Sequence, residues 1–238
     1  NDTNSLIHWT IERLKYVYAE SYHAKKDSLY MSALQQLALS YKAHPGSAEA
    51  WYALALFHHQ NNGAEELGTS SVKAHRLCKN TIAEYPESYG GKWCKKLLSE
   101  IEAKQMLLQS EYILIPDRPA LIHLQHRNLH KIHFRIVPFN EKWETTGARL
   151  GSQDFLKDHL NMQPVKSWQT TVINENDFST HAVEKEIPPL PLGRYVILAS
   201  EKEDFSRGGN AISCSEVWVS NLSMIHRRKK DGHLDFHV

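Results

Sequence analysis

The chain has 238 residues and a net charge of +1, from 28 basic and 27 acidic side chains, which leaves room for one large or two ordinary domains. Charges of both signs are mixed along the sequence, which excludes the broad basic field that holds nucleic acid or an anionic membrane. No apolar run approaches the roughly 18 to 20 residues that cross a bilayer, so no membrane insertion is expected, and the first residues lack the basic and apolar regions of a signal peptide.

Apolar residues recur at helical spacing through residues 5–110 and predict five helices in antiparallel hairpins. The first stripe is Ile7, Ile11, Leu14, Tyr18 and Tyr22, and the second is Tyr30, Ala33, Leu34, Leu37, Ala38 and Tyr41. Trp51, Leu54, Ala55 and His58 make the third, and Ala74, Leu77, Cys78, Thr81, Ile82 and Tyr85 the fourth. Cys94, Leu97, Leu98, Ile101 and Leu108 make the fifth. His44-Pro45-Gly46 and Tyr85-Pro86 stop helices, while Ser47 and Ser88 can cap the next ones.

Pro45-x-Ser47 ahead of Trp51 recurs as Pro86-x-Ser88 ahead of Trp93, with the tryptophans out of step by one. The segments 47–55 and 82–86 resemble the tetratricopeptide repeat, in which a small residue lets paired helices approach and a proline ends the second. That family's period is about 34 residues, and one full repeat is visible. The resemblance implies a helical array that either binds a peptide or serves as a packing platform for its neighbour.

Cys78, Cys94 and Cys214 form neither a disulfide framework nor a metal motif. Cys78 and Cys94 lie on either side of Pro86 and can face each other on antiparallel helices, with a disulfide and buried thiols both open.

From Pro116 the pattern becomes period two. Leu121 to Gln125 and Ile132 to Val137 alternate, placing Ile132, Phe134 and Ile136 on one face and His133 and Arg135 on the other. Arg127-Asn128-Leu129-His130 reads as a hairpin connection between them. Further strands are expected at Val165 to Ile173, His181 to Ile187, Arg194 to Ser200 and Ile212 to Leu222, the last two forming an antiparallel pair, with a short helix at Gln153 to Leu160. This is an immunoglobulin-like antiparallel β-sandwich, so the expected class is α+β in two segregated domains. The helical domain is expected at 1–112 and the sandwich at 113–225. Residues 226–238 are expected to hold a solvated linker around Arg227-Arg228-Lys229-Lys230 and the first strand, Leu234 to Val238, of a truncated following domain.

No catalytic, cofactor-binding or metal-ligating residue is assigned. His123 and His133 can meet on the outer face of the proposed hairpin, near His126 and His130, but zinc needs three or four converging ligands. Glu201, Glu203, Asp204 and Asn210 offer oxygens without the spacing of a calcium loop. Ser206, Ser213 and Ser215 lack a Gly-x-Ser-x-Gly elbow, and no glycine-rich phosphate loop precedes a helix. His58-His59 reads as a cap or surface pair, and Trp51, Trp93, Trp168 and Trp218 as core.

Residues 116–122 (Pro-Asp-Arg-Pro-Ala-Leu-Ile), 132–136, 189–200 (Pro-Leu-Pro-Leu-Gly-Arg-Tyr-Val-Ile-Leu-Ala-Ser), Asp204-Phe205-Ser206 and 217–223 (Val-Trp-Val-Ser-Asn-Leu-Ser) resemble the first macroglobulin-like domain of large bacterial alpha-2-macroglobulin-type proteins. The resemblance covers residues 112–238. It implies a non-catalytic scaffold at the front of a secreted or envelope-attached, extracytoplasmic protein that traps proteases after they cut a bait segment. Its partners would be the following macroglobulin-like domains and, through the whole protein, proteases. Some members carry a thioester between a cysteine and a glutamine, but in Cys214-Ser215-Glu216-Val217 a valine stands where that glutamine would be. Two other readings stay open: a tetratricopeptide-type adaptor, and a carbohydrate-binding sandwich, which needs exposed aromatics aligned on one face.

Overall fold

The computed structural model describes residues 2–64, 70–145, 150–222, 225–228 and 233–237. The chain forms two compact units, Asn1–Ala103 with Glu175–Ser179, and Lys104–Asn174 with Thr180–Val238. The class is α+β: antiparallel helical hairpins in the first unit and an immunoglobulin-like β-sandwich in the second.

The helical unit holds α1 (Thr3–Glu20), α2 (Lys26–Ser40), α3 (Ser47–Gln60), α4 (Ser71–Glu84) and α5 (Tyr89–Glu102). Asp2, Ser70 and Ser88 cap α1, α4 and α5 by accepting from the amides of Asn4, Lys73 and Gly91, satisfying donors the first turn leaves free. Ser47 does not cap. It is the first residue of α3, with Gly46 at the cap position. The predicted stripes bury Ile7, Ile11, Leu34, Ala38 and Leu54 in one cluster, joined by Phe57, which lies outside the predicted stripe, and Ala55, Ala74, Cys78, Cys94, Leu97 and Ile101 in another. Tyr22 lies past the end of α1 and is fully exposed.

Gly90 shows why α3 and α5 pack so closely. A Cβ there would sit 2.2 Å from the carbonyl carbon of Ala48 and 2.3 Å from its oxygen, so only glycine permits this approach. Phe178, from the excursion Glu175–Ser179, packs on the second cluster and stacks on His75 with centroids 4.5 Å apart.

The fifth stripe does not reach Leu108. Helix α5 stops at Glu102, and the chain turns into β1 (Gln105–Ser110), whose Leu108 is buried while Leu107 and Gln109 are exposed. The units therefore divide at Ala103–Lys104 rather than at 112–113.

The second unit continues with β2 (Ile113–Leu114), β3 (Ala120–Arg127), β4 (Lys131–Pro138), α6 (Lys142–Thr145), α7 (Gln153–Leu160), β5 (Lys166–Thr171), β6 (His181–Ile187), β7 (Gly193–Ser200), β8 (Ile212–Val219), β9 (Ile225–Arg228) and β10 (Leu234–His237). One sheet has the order β1-β3-β6 and the other β2-β8-β7-β4-β5. Among the described residues, all pairings are antiparallel except β2 with β8. Strands β7 and β8 form the expected antiparallel pair.

The expected hairpin between β3 and β4 is not formed. Strand β3 pairs with β1 and β6, and β4 with β5 and β7, so Arg127–His130 carries the chain from one sheet to the other, with Asn128 at φ 57°. Asparagine tolerates that left-handed conformation. The sheets face each other across Leu108, Ile122, Leu124 and Ile187 on one side and Ile132, Phe134, Ile136, Tyr195, Ile197 and Val217 on the other, as alternation in each strand requires. Opposite alternates of β4 and β7, Val137, Val196 and Leu198, are covered by Phe139 and Phe155.

The end of the chain also differs from expectation. Leu234–His237 pairs antiparallel with Ile225–Arg228, so Arg227 and Arg228 lie in a strand rather than a linker. Lys229 and Lys230 lie outside the described residues.

Candidate functional site

Three surfaces carry chemistry or binding character. In the helical unit, α1, α3 and α5 line a cavity of about 210 Å³ with His8, Glu12, Glu49, Tyr52, Tyr89 and Trp93. His8 Nδ1 lies 3.2 Å from Glu49 Oε2, and the Tyr52 and Trp93 rings are 5.8 Å apart. Trp9 and Tyr16 stand exposed on α1.

On the sandwich, Tyr112, Ile113, Ile115, Leu192, Trp218 and Leu222 are exposed along the β2–β8 side. Ile113 is the register partner of Trp218, and the Trp218 indole donates to the Tyr112 hydroxyl at 2.8 Å. The same Trp218 ring is covered on a face by Arg194, whose guanidinium carbon lies 4.5 Å from its centroid and 3.6 Å from that of Phe139. Trp218 is therefore a surface residue and not core, and the stacked arginine occupies the face a sugar would use. Trp51, Trp93 and Trp168 are half-buried, Trp168 stacked on Phe134.

The third surface is an open cavity of about 470 Å³ at one end of the sandwich, lined by Met106, Gln125, His126, Thr180, Asn210 and Ile212 among others. Met106, His126 and His181 are register partners across β1, β3 and β6, one layer beyond Leu108, Leu124 and Val183. Directly opposed residues point to the same side of a sheet, so a thioether and two imidazoles replace an apolar layer. His126 is only 2% exposed, and neither ring nitrogen has a hydrogen-bond partner. Burial first, then His181 and Lys185, push its pKa down and hold it neutral. The His126 and His181 ring centroids are 6.0 Å apart.

The structure does not bring His123 and His133 together: they lie in different sheets, opposite Gln109 and Glu184 and opposite Gln169 and Ser200 respectively. Several polar groups of the β7–β8 loop are already engaged, although Glu201 Oε2 is buried without a hydrogen-bond partner. Glu201 pairs with Lys104, Asp204 accepts from the Ser206 amide, and Asn210 donates to Ser200 Oγ and the Ser206 carbonyl. Ser213 and Ser215 tie β8 to β1, through the Leu108 amide and Ser110 Oγ. His59 Nδ1 lies 2.9 Å from Ser71 Oγ, while His58 Nδ1 is buried without a partner. Cys78 and Cys94 do face each other across α4 and α5, as free buried thiols. Cys214 is also free, within β8.

Two features escape sequence reasoning. His126 continues the inward alternation Ile122, Leu124, and that period was the available signal. The Arg194 clamp joins residues far apart in sequence, and nothing local announces it.

No protein-family model matches the chain, and comparison with curated proteins finds no match. Among solved structures, the CARDB domain of a Pyrococcus furiosus protein in complex with di-metal ions is similar at 12% identity and a TM-score of 0.29, over 49% of this chain and 87% of that one. A superoxide reductase (neelaredoxin) variant from Ignicoccus hospitalis is similar at 8% identity and a TM-score of 0.28, over 52% and 87% respectively.

Proposed function

We propose that this chain is a non-catalytic scaffold at the front of an alpha-2-macroglobulin-type protease-trapping protein, extracytoplasmic in location, working by presenting surfaces to the following macroglobulin-like domains. The observation that carries the reading is the exposed apolar strip of Tyr112, Ile113, Ile115, Leu192, Trp218 and Leu222. Exposed apolar residues gathered along one edge mark contact surfaces rather than solvent-facing decoration. Two of them, Trp218 and Leu222, fall in the stretch 217–223 that resembles the macroglobulin-like domain, beside the strand pair β7–β8 that carries the rest of the likeness. Determining the reading frame beyond Val238 tests it. Repeated β-rich segments of about a hundred residues are expected there, and termination soon after Val238 contradicts the proposal.

A second reading, a tetratricopeptide-type adaptor, draws on the α1–α3–α5 face, where Tyr52, Tyr89 and Trp93 surround the His8–Glu49 pair. Peptide-library capture on the purified chain, lost on Trp93→Ala, supports that reading. No capture removes it.

A further inference from the structure

We propose that Met106, His126 and His181 form a binding site for a single soft monovalent metal ion, copper(I) in chemical class, with His126 as its central ligand. This inference stands independently of the scaffold reading. Three observations in the sandwich unit carry it.

The first is His126 itself. An imidazole must donate from one nitrogen and accept at the other, and burying both without partners costs the full desolvation of each. Native structures rarely tolerate such a group without a bound water, an ion or a functional role. His126 is 98% buried by its 2% exposure and has neither bond. The neighbouring layer shows what packing alone would select, since Leu124, one step inward on β3, sits between Leu108 and Val183.

The second is the company His126 keeps. The cross-strand register sets the Met106 thioether on one side and the His181 imidazole on the other. Imidazole centroids 6.0 Å apart can be bridged by one ion bound at about 2.0–2.1 Å from a nitrogen of each ring. Methionine is unbranched with three rotatable bonds, and Met106 lines the same cavity as His126, so its sulfur can reach an ion seated there. Thioether with imidazole selects the soft end of the metal series, copper(I) above zinc or magnesium.

The third is access. The cavity of about 470 Å³ opens to solvent beside His126. It has room for an entering ion and for water on the second imidazole nitrogen.

The test uses the intact chain and silver(I), a redox-inert probe for copper(I), followed by nuclear magnetic resonance of imidazole nitrogens and methionine methyls. One equivalent is expected to move the His126 ring nitrogens and the Met106 methyl together. Met106→Leu, which keeps an apolar side chain, is expected to weaken binding by at least about tenfold, since even partners outside the ligand set are worth about 10–100-fold. His126→Leu, which continues the Leu124 layer, should abolish it. Signals that move only at Cys78, Cys94 or Cys214, or at histidines other than His126 and His181, overturn the site. So does unchanged affinity in Met106→Leu, a readout that holds even if His126→Leu fails to fold.

Discussion

Arg194 Nε donates to Glu216 Oε1 at 2.8 Å, a diagonal bond between β7 and β8 made by two side chains only 12% and 15% exposed. Arg194 Nη1 also lies 3.4 Å from Glu144 and 3.7 Å from Glu141, while Phe139 and Trp218 hold the guanidinium between their rings. Planar stacking and a forked donor set suit arginine and not lysine. Removing Glu216 strands a largely buried cation, which costs about 3–5 kcal/mol when burial is complete. Glu144 and residual solvent reduce that here, so Glu216→Ala is expected to cost about 2 kcal/mol in urea unfolding. Arg194→Lys should lose about 1–2 kcal/mol, and a neutral result for both would show that the clamp holds nothing.

Gly90 makes a sharper demand. The clash its Cβ would create is with Ala48 backbone, which cannot rotate away. Gly90→Ala is expected to destabilise the helical unit by about 3 kcal/mol or more. Gly208→Ala, with no atom within 4 Å of the added carbon, should stay within about 0.5 kcal/mol. Circular dichroism melts of the two variants separate these outcomes.

His159 predicts the acid limb of stability. Its Nδ1 lies 2.8 Å from the Phe155 carbonyl and its Nε2 3.3 Å from the Asn140 amide nitrogen. A carbonyl only accepts and an amide N–H only donates, so the ring is neutral with its proton on Nδ1. Burial leads in lowering its pKa, as it does for His58 and His126. The unfolded chain takes these protons near pH 6.5 and the folded chain resists them. Stability is thus complete above about pH 7 and falls as pH drops through about 6.5. Urea midpoints at pH 7.5 and 5.5 should show that fall, and His159→Gln should shrink it.

The thiols should be silent in the folded protein. Cys78 and Cys94 are wholly buried; their mutual contact pushes the Cys78 thiol up and the Cys94 thiol down, so for Cys94 it is burial alone that shuts out a reagent. Burial alone pushes Cys214 up to about 11. Since the thiolate is the reactive form, a thiol reagent at pH 8 is expected to count three cysteines only after denaturant is added. Rapid reaction in native buffer would contradict the packing.

What the sequence reveals follows from which forces are local. Helical period and caps such as Ser88 are written within a few residues, so α1 to α5 and the β7–β8 pair are legible. Leu108 misleads because its spacing from Ile101 also fits a helix, and no proline or glycine marks the break after Glu102. The four residues from Arg127 to His130 are as short as a hairpin loop, yet alternation in β3 and β4 reports only that each buries one face. It does not say whether the faces share a sheet. His126 shows the same limit at the level of the site: period two points it inward, but its bare nitrogens and its place between Met106 and His181 depend on register across three strands.

The scaffold reading is tested most directly by mixing the product of the complete reading frame with an active endopeptidase and assaying two substrates. A physical trap predicts that hydrolysis of a small peptide persists while hydrolysis of a large protein substrate is lost. Equal activity on both substrates, with or without the trap protein, would contradict it.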